Sequence, residues 1–251
     1  MNNLFWEVLK KWNDGKKIYW AGNLFRDHQV AMSAIITTSH YLLLSTGETS
    51  SLKRLCAYGK RKKWKLNGVT GPSKQAKIFA RFWQNLEMEE SLARSKDFEI
   101  FHSTDAVSRF TLKKGISVQK ATSFEWPRIR LWAIQFAHES NPQLDLQASI
   151  LMAKSMLNHQ NLYLLRKEGN TLGMGGFGRF TPNRMIINMV FISKEYRRRG
   201  YASALTESLI QKAQKTALSK CLLFSDYLQA DNLYKKLGCE SVGRFCEIKF
   251  N

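Results

Sequence analysis

The chain has 251 residues, 44% of them hydrophobic, with 39 Lys+Arg against 20 Asp+Glu and a formal net charge of +19. This composition supports packed cores and excludes a disordered chain, and the charge favours anionic partners such as phosphorylated cofactors. The positive charge is spread over both halves, which argues against a single basic arm, and no run of about 18 apolar residues or cleavable leader is visible, so a cytoplasmic protein with no membrane partner is expected.

Taken in order, Leu4, Phe5, Val8, Leu9 and Trp12 make one apolar face of a short helix, expected to pack on the first domain. Residues 19–25, 29–38 and 41–44 read as strands, and 45–51 as turn. Lys60-Arg61-Lys62-Lys63-Trp64-Lys65 is the densest basic run. It reads as a solvated strand or turn beside a partly buried Trp64, because no second aromatic follows at stacking spacing; nucleic acid is therefore disfavoured as a partner. Residues 68–73 read as a glycine turn leading into an amphipathic helix through Ala76, Ile78, Phe79, Phe82, Trp83 and Leu86, with Ser73 as its cap. Residues 99–102 form a short strand on which His102 packs. The polar stretch 111–115 marks a boundary, giving domains at 1–115 and 116–251.

Beyond it, 117–121 reads as a strand, helices begin near Pro127 and Leu144, and strands at 163–167 and 172–180 flank the hairpin turn Glu168-Gly169-Asn170. Gly173, Gly175, Gly176 and Gly178 leave the second strand little bulk, which fits either room for a substrate or a bulge. Residues 185–192 are a nearly continuous apolar run, as in a strand buried on both faces. Ala202, Leu205, Leu209, Ala213 and Ala217 then recur at helical spacing. Residues 241–250 are the expected last strand of the second domain. The four cysteines, Cys56, Cys221, Cys239 and Cys246, form no Cys-x-x-Cys pair and stand near no His cluster, so no metal is expected.

The turn between the apolar strand and its helix carries the chemistry. A strand that feeds a helix through a tight turn leaves unpaired N–H groups at the helix start, and these attract phosphate together with the helix dipole. Gly200 lets backbone and ligand approach closely, and Arg197, Arg198 and Arg199 add positive charge.

Arg197-x-x-Gly200-x-Ala202 resembles the R/Q-x-x-G-x-G/A signature of the GNAT superfamily of N-acetyltransferases. Leu233-Tyr234-Lys235-Lys236-Leu237-Gly238-Cys239 is similar to the family's L-Y-x-K-L-G-F, in the family's order and one helix and one short strand later. The resemblance implies an α/β (α+β) fold with a mixed central sheet flanked by helices. It also implies two tandem domains, a degenerate N-terminal copy without cofactor and a complete C-terminal one, and the strand, glycine turn and helix over 60–86 is taken as the echo. Acetyl-CoA is the implied cosubstrate. It would lie along Val190, Phe191 and Ile192 and on Arg197, Arg198, Arg199, Gly200, Tyr201, Ala202 and Ser203, with Asn232 nearby. The implied acceptor is a primary amine of a small molecule or peptide.

Amine acetylation needs a proton donor for the leaving thiolate, and Tyr234 aligns with the family's tyrosine acid. The base is less defined: where many relatives carry Glu on the preceding strand, this chain offers Asn188, and Asp226 is the nearest carboxylate by sequence. Lys194, Tyr227 and Cys239 depart from the family's usual Pro, Asn and aromatic residue. Two alternatives stay open, an acyl-CoA-binding regulatory protein without turnover and a nucleic-acid-binding protein. The acceptor and the oligomeric state are not specified.

Overall fold

The computed structural model of the chain describes residues 3–13, 15, 17–85, 95–104, 114–140, 143–216, 220–226 and 232–250. The chain divides into two compact units, Met1–Glu99 with Gly243–Asn251, and Ile100–Val242. This differs from the boundary read at residue 115. Phe101, fully buried, belongs to the core of the second unit with Leu205, Leu209 and Leu223, whereas Cys246, Ile248 and Phe250 belong to the core of the first. Residues 111–113 of the expected boundary lie outside the described residues.

The first unit begins with α1 (Asn3–Asn13), followed by β1 (Trp20–Arg26), β2 (Gln29–Ile36), β3 (Tyr41–Leu44), α2 (Thr49–Arg61), β4 (Gly68–Pro72), α3 (Ser73–Gln84) and β5 (Ser95–His102), within which the division falls. Its sheet runs β1-β2-β3-β4 and is continued by β11 (Glu240–Lys249). β3 and β4 are parallel across α2, while β11 pairs antiparallel with β4 from Phe245↔Pro72 to Lys249↔Gly68. The strand expected to close the second domain therefore completes the first.

Two local readings change here. Residues 49–61 form a helix where only turn and a basic run were read: Leu52, Leu55, Cys56 and Gly59 recur at spacings of three and four and face the core. Gly68–Pro72 is a buried strand and not a turn. A Cβ on Gly68 would stand 2.5 Å from the Ile248 carbonyl oxygen, so glycine there serves the close approach of β11. The strand–turn–helix echo accordingly sits at β3–α2, not at 60–86. Trp64 is 9% exposed and packs 4.6 Å from the Trp20 ring. The Ser73 hydroxyl donates to Asp97 Oδ1 at 2.6 Å instead of capping α3.

Apart from the last strand, β11, the second unit has the order expected from sequence: β6 (Ile116–Lys120), α4 (Trp126–Glu139), α5 (Leu146–Asn158), β7 (Leu162–Lys167), β8 (Asn170–Thr181), β9 (Arg184–Ile192), α6 (Tyr201–Gln214), β10 (Cys221–Ser225) and α7 (Leu233–Lys236). Its strands lie in the order β6-β7-β8-β9-β10-β5, antiparallel from β6 to β9 and parallel between β9 and β10. Two cores cover the two faces. One gathers Leu205, Leu209, Ile210 and Ala213 of α6; the other gathers Ile129, Trp132 and Ala133 of α4 with Ala153, Met156 and Leu157 of α5. α4 is anchored at its start, where Glu125 accepts from the Thr122 N–H and hydroxyl and pairs with Arg166 of β7. Among the described residues no helix is long and apolar enough to cross a membrane.

Candidate active site

The site grows from an irregularity in β9. Ile187 faces the α6-side core, but Met189 and Phe191 face the α4–α5 side, and Val190 and Ile192 face α6 again. Strict alternation is broken because one extra residue is inserted: the β8–β9 register shifts between Met174 and Gly176, and Met189 takes φ +56°. A left-handed non-glycine residue costs about 1–2 kcal/mol, and burial of the Met189 side chain, 3% exposed, offsets it. Bulges bend and twist the strand that carries them. Here parallel pairing with β10 runs from Met185↔Cys221 to Ile187↔Leu223 and goes no further, so the two strands part where Asn188 begins.

The glycines of β8 belong to the same irregularity. A Cβ on Gly173 would collide with the Phe191 carbonyl, one on Gly176 with the Asn161 carbonyl, and one on Gly178 would stand 2.6 Å from Asn188 Nδ2. They admit neighbouring backbone and the Asn188 carboxamide, which selects the bulge reading over an open substrate channel.

Past Ile192 the chain makes a 3-10 turn over Lys194–Tyr196, then Arg198 at φ +59° and Gly200 at φ +80° swing it into α6. Gly200 is the N-cap of α6 and offers no side-chain oxygen to the first turn. The N–H groups of Tyr201, Ala202 and Ser203 thus stand at a helix start, where no intrahelical acceptor exists, and only with Ala204 N–H to Gly200 O at 3.1 Å does the ladder begin. Beyond its own chain neighbours, no heavy atom lies within 4 Å of where a Gly200 Cβ would be, and Gly200, Arg198 and Arg199 are exposed. The residues present fit a pyrophosphate: open backbone donors, a positive helix end and two free-standing arginines.

Arg197 has a different task from its neighbours. Its Nε donates to Ile192 O at 2.7 Å, its Nη2 pairs with Glu139 Oε2 at 2.7 Å, and its guanidinium lies 5.2 Å from the Phe191 ring centroid. It ties the loop to the end of β9 and to α4, which gives it a positioning role in the loop itself. Glu139, not singled out from sequence, is its anchor. Asn232 is likewise turned inward. It is 1% exposed, accepts from the Tyr234 N–H at 2.8 Å and donates to Ser225 Oγ at 2.7 Å, capping α7 from β10. Both side-chain polar atoms have partners within the protein.

Tyr234 packs edge-on against Phe101, with ring centroids 5.7 Å apart. Burial, with smaller contributions from Cys239 and Asp226, pushes its hydroxyl up to about 12, so it is a protonated donor across the working pH range. Asp226 is exposed at the end of β10, near enough for its charge to act on Tyr234. Glu195 is exposed and accepts from Ser193 Oγ at 2.6 Å, an interaction that holds its carboxyl below the usual range. Val190, Tyr201, Ala202 and Tyr234 all pack on the α6-side core, and this brings the bulge, the loop and α7 together. Phe191 and Ile192 point their side chains into the two cores, leaving only their backbone for a ligand. Tyr227 lies outside the described residues.

Solved structures share this architecture. An N-acetyltransferase of the GCN5-related type from Sphaerobacter thermophilus superposes with a TM-score of 0.63 at 16% identity, over 97% of this chain and 84% of that one. One from Kribbella flavida gives 0.61 at 10% identity, over 97% and 93%. A GNAT-family acetyltransferase from Colwellia psychrerythraea gives 0.58 at 13% identity, over 91% and 84%. At such identities the likeness concerns the fold. No curated protein matches the sequence. Residues 124–239, which hold the bulge, the Gly200 loop and α7, match the sequence model of the acetyltransferase (GNAT) family. The chain therefore carries a domain of the acetyltransferase (GNAT) family, a family of acyl transfer.

Proposed function

We propose that the protein is an N-acetyltransferase that moves an acetyl group from acetyl-CoA to a primary amine of a small molecule or peptide. The observation that carries this reading is the Gly200 loop, an open, glycine-started helix N-terminus that follows the strand parting from β10 at Asn188. The backbone N–H groups of residues 201–203 would hold the pyrophosphate, with Arg198 and Arg199 adding charge. The parted edge of β9 from Val190 to Ile192 would align the rest of the cosubstrate. Acetyl-CoA supplies the activated thioester when bound.

Tyr234 is the proton donor to the leaving thiolate; its neutral form is the one that burial favours. Asp226, exposed at the end of β10, takes the proton released by the amine, directly or through water. Asn188, in place of a carboxylate on β9, favours a second reading in which the acyl-CoA site is kept but turnover is slow or absent. Calorimetry with acetyl-CoA followed by an amine-acceptor screen for free thiol tests both. Micromolar binding with acceptor-dependent thiol release supports the enzyme, binding without release across the screen supports the second reading, and no binding refutes both.

The first unit repeats the second in topology: β1-β2-β3-α2-β4 follows the same antiparallel, antiparallel, parallel order as β7-β8-β9-α6-β10. We read it as a degenerate copy without cofactor. Where Gly200 opens α6, Glu48 is the N-cap of α2, and both its oxygens are held by Arg26 Nη1, at 2.8 and 2.7 Å. The residue at the corresponding helix start thus carries a carboxylate, exposed and turned to Arg26, where the second unit has an open glycine.

A further inference from the structure

Between Glu48 and Glu87 the sequence contains ten Lys and Arg and no Asp or Glu. In the first unit this stretch forms α2, the turn after it, β4 and α3, with α2 packed beside α3. The inward positions of α2 are Leu52, Leu55, Cys56 and Gly59. The outward positions run Lys53, Arg54, Ala57, Lys60, Arg61, all exposed and at the spacing of a single helical stripe. Every one but Ala57 is a cation. Lys62, Lys63 and Lys65 continue the exposed row past the end of the helix, and Lys74 opens α3.

Several of these cations are held in place. Lys53 Nζ lies 5.5 Å from the Phe82 ring on α3, and Lys60 Nζ donates to Phe82 O at 3.1 Å and Asn85 Oδ1 at 2.8 Å. Arg61 and Lys62 lie 5.6 and 5.9 Å from the Tyr58 ring. Among the described residues no carboxylate pairs with Lys53, Arg54, Lys60, Arg61, Lys62, Lys63, Lys65 or Lys74.

We propose that the α2–α3 face of the first unit binds nucleic acid through its phosphodiester backbone. Lys53 to Arg61 spans about 12 Å of helix axis, a length that meets roughly three or four phosphates of one strand. No large apolar side chain is exposed from residue 49 to 85, so the face has nothing to insert into a bilayer and no anchor of the kind that dominates protein interfaces. Trp64 is buried, so no base stacks on it and the binding is independent of sequence. This goes beyond the acetyl-transfer reading and does not rest on it. It also revises the expectation drawn from the basic run alone: the missing stacking partner argues against base readout, not against phosphate contact.

The test is fluorescence anisotropy of labelled duplex DNA with the full chain between about 50 and 200 mM salt. Four to seven phosphate contacts give a slope of log K against log salt of about −4 to −6. The variant Arg54→Gln/Arg61→Gln/Lys62→Gln/Lys65→Gln, in which only exposed side chains change, should keep its circular dichroism spectrum, bind at least about tenfold more weakly and lose about three to four from the slope. Absence of binding at the low-salt end, or a slope that the variant leaves unchanged, overturns the proposal. Tighter binding to polyglutamate, or to vesicles of equal parts phosphatidylserine and phosphatidylcholine, overturns it in favour of an acidic protein or a membrane surface.

Discussion

Replacing Gly200 by Val is the most direct test of the acetyl-CoA site. Gly200 sits at φ +80°, where a β-branched residue is strained, and no neighbour lies within 4 Å of a Cβ added there. The effect must therefore come from the backbone and not from collision within the protein. Holding Val in the left-handed region costs about 1–2 kcal/mol. The loop has little reason to accept that cost, because Gly200 is exposed and hydrogen-bonds only at the first rung of α6. It should relax to negative φ, turning the N–H groups of Tyr201 and Ala202 away from their common focus. Charge-assisted hydrogen bonds contribute roughly 1.5–3 kcal/mol each, so losing two weakens acetyl-CoA binding by about 10²- to 10⁴-fold. Calorimetry measures the affinity and circular dichroism checks the fold. A folded Gly200→Val protein that binds acetyl-CoA as tightly as wild type refutes the pyrophosphate-loop reasoning.

Arg197→Ala should act differently, because its guanidinium is tied to Ile192 O and Glu139 within the protein. Stability falls by about 1–2 kcal/mol for this half-exposed group while affinity changes less than tenfold, and a thermal melt paired with calorimetry separates the two. Tyr234→Phe should lower turnover by about 10²-fold or more without moving any limb of the rate profile below about pH 11, since the hydroxyl titrates near 12; a lost limb near neutrality would assign that titration to Tyr234. Glu207, 7% exposed on α6 with its Oε2 accepting no hydrogen bond, has its carboxyl raised by burial to about 7. A raised acid contributes stability below its unfolded value and loses it as pH rises through about 7, so Glu207→Gln should stabilise on the order of 3 kcal/mol at alkaline pH and little at acid pH. Equal melting-temperature changes at both pH values would refute it. A fragment of residues 100–242 should fold and bind acetyl-CoA, whereas 116–251 should not fold, because it lacks Phe101 and keeps β11 without β4; comparison of their circular dichroism decides.

The second unit was legible in sequence because its signals are local. The apolar run at 185–192, the helical spacing after Ala202 and the Glu168–Gly169 turn each follow from neighbouring residues. The Met189 bulge left no such mark, since methionine has no preference for positive φ and only packing between two cores holds it there. α2 escaped notice because Gly59 and the weak cap at Glu48 obscure a helix whose evidence is four inward residues. The internal bonds of Asn232 and Arg197 are illegible for a common reason: motif position names the residue but not the direction of its side chain. The partner of β4 is invisible to any local reading, because it lies 176 residues further along at the Thr70–Cys246 contact.

That separation has a kinetic meaning. During synthesis β1 to β4 leave the ribosome long before β11, and in between the whole of the second unit is made. Until Gly243–Asn251 arrives, β4 has no strand on that edge, and Val69, Ala76 and Phe79 lack the cover of Cys246, Ile248 and Phe250. An unpaired edge beside exposed apolar side chains is what chaperones recognise and what other chains pair with. Sheltering of the nascent first unit while the second folds is therefore expected, and a stop between residues 100 and 240 releases a chain that lacks β11 and cannot close its own sheet. Closing over so long a loop slows the final step, so completion of the amino-terminal unit is the expected slow event in maturation.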